Sequence, residues 1–178
     1  MATYEAFSPN AEIVGEGILG YISGMGAFES TAREFLKENG IDDPVPGKWY
    51  SHQAFLDTLR VIERRVGPAT LWQIGQKISD IAPFPPDVDT VEKALVSVGQ
   101  SYEMNHRGDD AGDVQFVETG DRKAKMVCRT PYPSELEMGI VEGFAAKFGG
   151  RTVRVVLDES QPTREQGADS STYLVSWG

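Results

Sequence analysis

Few side chains in this sequence are placed to do chemistry, and His106 is the foremost of them. It lies in the run Tyr-Glu-Met-Asn-His-Arg, Tyr102 to Arg107, just past a helical stripe. A neutral imidazole beside an apolar cavity between helix and sheet could ligate iron. The more ordinary reading is that His106 and Arg107 serve the free carbonyls of a helix C-terminus, where positive charge is favoured. The other histidine, His52, follows Ser51 at a helix start and reads as a surface residue. Two histidines so far apart suggest no Ser-His-Asp or Cys-His set. Cys128 is the only cysteine; it alternates with core residues on a strand and reads as a buried, inert thiol. One thiolate makes neither a disulfide nor a zinc site. Asp109, Asp110 and Asp113 lack the spacing and closing glutamate of a calcium loop, so they read as a solvated turn. Gly15, Gly17 and Gly20 spell GxGxxG without a clear preceding strand or a Walker lysine, which points to glycine-tolerant packing or an interaction segment. No catalytic residue and no metal site is expected.

The elements that must position these residues are readable in the hydrophobic spacing. A helix is predicted from Thr31, capped by a Thr31/Glu34 box and stopped at Asn39-Gly40. A second starts near Ser51, with Phe55, Leu59, Ile62 and Val66 on one face, and Gly67-Pro68 breaks it. Leu71, Ile74, Ile78 and Ile81 form a third stripe, ended by the PFPP segment, Pro83 to Pro86. Asp89 is the expected cap of a fourth helix, which buries Val91, Leu95, Val98 and Tyr102. The period then changes to two. Val114 and Phe116, a turn at Thr119-Gly120-Asp121, and Ala124, Met126 and Cys128 read as a β-hairpin. Ser134 and Glu137 look like a capping box for a fifth helix bearing Leu136, Ile140, Phe144 and Phe148. Strands at Val153 to Leu157 and Tyr173 to Trp177 close the chain. Helices followed by hairpin, helix and two strands predict an α+β fold. Its N-terminal helices pack on a four-stranded antiparallel sheet with a β-β-α-β-β C-terminal half.

The chain has 178 residues, which suits one domain with an appendage, 1–28 followed by 29–178. Seventeen Lys and Arg stand against 27 Asp and Glu, a net charge of -10. That field repels phosphate backbones and anionic lipid, so neither nucleic acid nor a membrane surface is an expected partner. No apolar stretch approaches the length of a membrane span, and the start MATYEAFSPNAE lacks a basic region followed by an apolar core. A soluble, cytoplasmic protein is expected. Ile13 to Met25, apolar but interrupted by glycine, has no obvious place in the core and could cover a second subunit, so a homodimer is expected.

The β-β-α-β-β ending resembles the superfamily that joins haem–nitric-oxide-binding (H-NOX) domains, 4-vinyl-reductase-type domains and subunits of the TRAPP transport particle. The stretch PYPSELEMGIVEGFAAKFGGRTVRVV is similar to the H-NOX segment in which a Tyr-x-Ser-x-Arg motif precedes a helix and a strand. The ending REQGADSSTYLVSW is similar to the close of 4-vinyl-reductase-type domains. The resemblance covers Ser51 to Trp177, and it implies a ligand pocket between helices and sheet, with His106 near the family's proximal haem histidine. Tyr132 and Ser134 match the first two positions of the haem-propionate motif, but Leu136 stands where its arginine should be, and an apolar side chain cannot pair with a carboxylate. Ser171 stands where a vinyl-reductase cysteine is usual, so cysteine-rich metal binding does not carry over.

The function expected is a non-enzymatic binding or sensory domain for an apolar small molecule. Its lining is placed on Val98, Tyr102, Met104 and His106, on Phe116 and Met126 of the hairpin, and on Tyr132, Ile140 and Phe144. Two alternatives stand beside it: a protein-interaction or assembly domain with a filled core, and a haem-binding gas sensor through His106. The cofactor is unknown, and haem is not favoured without the arginine. An enzyme would need a titratable group of shifted pKa inside the pocket, for which His106 is the candidate.

Overall fold

The computed structural model describes residues 3–178; the first two residues of the expected 1–28 segment lie outside it. In chain order the elements are β1 (Glu12–Val14), α1 (Gly15–Gly24), α2 (Glu29–Glu38), β2 (Trp49–Ser51), α3 (His52–Val66), α4 (Pro68–Ile81), α5 (Val91–Asn105), β3 (His106–Arg107), β4 (Asp113–Gly120), β5 (Lys123–Arg129), α6 (Ser134–Gly149), β6 (Arg154–Leu157) and β7 (Ser171–Ser176). The fold is α+β. The last four strands form an antiparallel sheet in the order β4-β5-β7-β6. Along β5 the alternation works as its period demands: Ala124, Met126 and Cys128 are buried on one face. The hairpin turn falls one step later than its Gly120 suggests, with Arg122 at φ 51°.

A second sheet was not legible in the sequence. β1 pairs antiparallel with β2 on one side and with the two-residue β3 on the other. Such short strands carry no periodicity to detect. The pairing sets Ile13 opposite both Tyr50 and His106, so the N-terminal segment ties the start of α3 to the end of α5. Ile13, Ile18, Ile22 and Met25 are all buried, in one cluster with Phe55, Leu59 and Ile74. The apolar segment that seemed to need a partner subunit therefore has its place in the core of its own chain.

Three expected caps move. A 3-10 turn at Gly26–Phe28 feeds straight into α2, and Phe28 N–H bonds the Met25 carbonyl, so the helix starts before Thr31 and has no side-chain cap. Thr90, not Asp89, caps α5, accepting from Lys93 N at 3.3 Å, while Asp89 pairs with the Lys93 ammonium at 2.7 Å. Pro133, with ψ at 150°, precedes α6, so Ser134 is its first residue and Glu137 turns inward. Ser51 caps α3 as expected, accepting from Ala54 N.

α4 and α6 approach backbone to backbone. A Cβ on Gly139 would stand 2.2 Å from the Trp72 carbonyl oxygen, and one on Gly143 would stand 2.6 Å from that of Gln76. Only hydrogen fits there. A second apolar cluster, including Leu95, Met126, Phe144 and Tyr173, fills the space between α5, α6 and the larger sheet.

Candidate functional site

Where the two clusters meet, the core is not filled. A cavity of about 630 Å³ opens between α1, the α4–α5 loop, α5, the sheet and α6. This is the size range of small-molecule pockets, and it argues against an assembly domain with a filled core. Val98, Tyr102, Met104, His106, Tyr132, Ile140 and Phe144 line it. Phe116 and Met126 do not. Met126 is fully buried in the second cluster and Phe116 packs against that cluster, because the inward face of the hairpin runs past the cavity's edge. Met104 stands at the mouth, 70% exposed. Phe84 adds an aromatic wall, and so does Tyr21, which sequence reasoning did not place there.

The floor is polar and hydrogen-bonded. His106 is buried, its ring stacked on Tyr102 with centroids 4.0 Å apart. Its Nδ1 lies 2.8 Å from the Tyr102 carbonyl oxygen, an acceptor only, so Nδ1 carries the proton and donates. Nε2 must then accept, and the Tyr132 hydroxyl donates to it at 2.6 Å. With its proton so engaged, that hydroxyl accepts from His52 Nε2 at 3.1 Å. One phenol oxygen thus joins two imidazoles whose ring centroids are 4.8 Å apart. His52 is not a surface residue: it is fully buried at the first turn of α3. Burial, and then the neighbouring His106, push His52 well below its usual pKa. Burial likewise lowers His106 to about 4, against a smaller opposing effect of the Tyr102 carbonyl.

Glu137 is the buried cavity-lining residue that sequence reasoning missed. In place of a reciprocal cap it lines the cavity, 4% exposed, accepting from Thr130 Oγ1 at 2.5 Å and from the Tyr173 hydroxyl at 2.7 Å. Burial pushes its carboxyl up to about 8, although both hydroxyls and Arg164 pull it down. Tyr173 also lies 3.2 Å from the Ser134 carbonyl. A protonated Glu137 can donate to Tyr173, which then donates to Ser134, so the neutral form satisfies every partner. An apolar residue at that position in the helical stripe would have been unremarkable; a glutamate between Leu136 and Ile140 was the available signal. Cys128 lines the cavity too, a free buried thiol whose pKa burial raises.

The cationic side chains look elsewhere. Among the described residues the lining contains no Lys or Arg, while Glu16 and Glu137 both belong to it. Arg107 pairs with Glu12 at 2.6 Å and lies over the Trp49 ring. Arg129 is held by Asp110 and Asp113. The acid cluster read as a solvated turn thus serves partly to hold Arg129, with Asp109 outside those pairs. Among the described residues no group of three or more His, Cys, Asp or Glu converges to hold a metal ion, and no helix is long and apolar enough to cross a membrane.

No family model matches the sequence, and no curated protein matches it. Solved structures do. An H-NOX protein from S. oneidensis in the Fe(II) ligation state superposes with a TM-score of 0.69 at 13% identity, over 93% of this chain and 96% of that one. A mutant of the H-NOX protein from T. tengcongensis gives 0.64 at 13%, over 92% and 96%. A structure from work on haem distortion in the H-NOX family gives 0.63 at 14%, over 90% and 93%. The chain has an H-NOX-like fold. Haem, which the fold brings into question, would require an axial ligand and partners for two propionates. Here His106 Nε2 is engaged by Tyr132, Leu136 is apolar and fully buried, and among the described residues a carboxyl but no Lys or Arg lines the cavity. These residues do not fit a clamped haem.

Proposed function

We propose that this protein is a non-enzymatic binding or sensory domain that holds a small, predominantly apolar molecule between its helices and its larger sheet. One observation carries the reading: a cavity of about 630 Å³ with aromatic and aliphatic walls over a buried polar floor. The H-NOX-like fold supports it, since solved structures of that fold are described as haem proteins. The floor supplies orientation rather than turnover. The Tyr132 hydroxyl already donates to His106 and accepts from His52, and burial holds its pKa well above the usual range, so it is a poor nucleophile.

Native mass spectrometry and an absorption spectrum of protein purified from the cells that make it test this directly. The expected result is a small-molecule mass increment on each chain without a Soret band. Bare chain alone, with no thermal shift across a panel of apolar compounds, would overturn the proposal.

A further inference from the structure

The chemistry of the lining says which class of molecule the cavity takes. Its walls include the rings of Tyr21, Phe84, Tyr102, Tyr132 and Phe144. Electron-rich ring faces attract ammonium groups, most strongly when water is excluded. Among them sits one buried carboxyl, Glu137, with a lone pair on each oxygen left over after Thr130 and Tyr173 have donated. The second acid of the lining, Glu16, is at the solvent edge, where its carboxylate accepts from Gly47 N at 2.8 Å. Among the described lining residues there is no lysine or arginine to meet an anion. Nor can the nearby cations turn inward cheaply: Arg107 and Arg129 are held by Glu12, Asp110 and Asp113, and the Lys147 ammonium reaches the Ser79 carbonyl at 2.6 Å. The buried Arg164 donates to the Asp169 carbonyl at 3.1 Å and lies over the Phe7 ring.

We infer that the cavity selects apolar molecules bearing an amine, accepts neutral hydroxyl analogues less well, and rejects matched carboxylates, with Glu137 as the group that meets the ammonium. This rests on the proposed small-molecule binding at the same cavity. An anion entering beside Glu137 would be desolvated with a carboxyl for a neighbour and no cation in the described lining. Arg164, whose charge reaches Glu137, lies outside that lining and is bonded to the Asp169 carbonyl. An ammonium finds both a carboxylate and ring faces. Proton balance follows. A ligand entering as ammonium is matched by ionised Glu137, so a neutral carboxyl must release its proton to solvent on binding, up to one per ligand.

Calorimetry with three naphthalene probes of one shape tests the inference: 2-(2-naphthyl)ethylamine, 2-(2-naphthyl)ethanol and 2-naphthylacetate. The expected order is amine, then alcohol, then carboxylate, with at least tenfold between the first and the last. Titrating the amine in buffers of different ionisation enthalpy should reveal proton release, and Glu137→Gln should abolish both that release and the amine's advantage over the alcohol. A carboxylate that binds as tightly as the alcohol overturns the inference while leaving the cavity as a binding site. So does an amine advantage that survives Glu137→Gln. The three-probe comparison in the unaltered protein decides the matter even if the variant fails to fold. No binding by any probe removes the binding reading itself, and the inference with it.

Discussion

The Tyr132 hydroxyl lies 2.6 Å from His106 Nε2 and 3.1 Å from His52 Nε2, so one oxygen bridges two buried imidazoles drawn from α3 and β3. Removing it in Tyr132→Phe leaves both buried ring nitrogens without that partner. A stability loss of about 1–3 kcal/mol is expected, the usual consequence of orphaning buried polar groups. Urea unfolding measures it. A change within error would mean that the bridge contributes nothing net.

Stability should depend on pH in two opposed windows. The Glu137 carboxyl rises from 4.5 unfolded to about 8 folded, so the folded state holds a proton that the unfolded state has lost. Stability from this group is full below 4.5 and declines as pH rises towards 8. His106 falls from 6.5 to about 4, and His52 also falls, so the folded state holds fewer of their protons and stability drops on acidification from 6.5. Between 6.5 and 8 Glu137 acts without them. There a decline of up to about 1.4 kcal/mol per pH unit is expected, and Glu137→Gln should flatten it. Melting temperatures across pH 4 to 9 check both limbs, and an unchanged decline in the variant would move its origin elsewhere.

Two glycines should respond with opposite sign. At Gly139 a methyl would strike the Trp72 carbonyl at 2.2 Å, and the α4–α6 contact must open to admit it. Gly139→Ala should lose about 1–3 kcal/mol or more. Gly20, inside α1 on the cavity wall, has only the Ile81 Cδ1 at 3.5 Å. Gly20→Ala should gain roughly 0.5–1 kcal/mol from helix propensity. Denaturant midpoints of the pair give the comparison.

Titration with haem should show no saturable Soret shift at one equivalent. Loss of the motif's arginine at Leu136 removes a charge-assisted pair worth about 1.5–3 kcal/mol, roughly ten- to a hundredfold in affinity. A sharp band abolished by His106→Ala would establish His106 as an axial ligand after all.

What could be read from the sequence followed its periodicities. The stripes of α3, α4 and α5 and the alternation of β5 are properties of single segments, and the structure keeps them except at Ile81, which is half exposed at the end of α4. The polar floor is not such a property. His52 looked like a helix-start surface residue because its partners, His106 and Tyr132, are 54 and 80 positions away. Glu137 fitted a local capping pattern, and only the Thr130 and Tyr173 hydroxyls, brought by β5's end and β7, turn it inward. Phe116 and Met126 share an inward face with Cys128, yet only Cys128 lies at the end of that face that meets the cavity. Alternation reveals the face and leaves the end undetermined.

The most direct measurement is a fluorescence titration with N-phenyl-1-naphthylamine, a neutral apolar probe, on the unaltered protein and on Gly20→Phe. A Cβ at position 20 faces open cavity beside Ile81, so the phenyl ring occupies ligand space. The unaltered protein should show saturable enhancement at one probe per chain, weakened at least tenfold in a Gly20→Phe variant that keeps its circular dichroism. No saturable enhancement, or equal binding by the filled variant, would contradict small-molecule binding in this cavity.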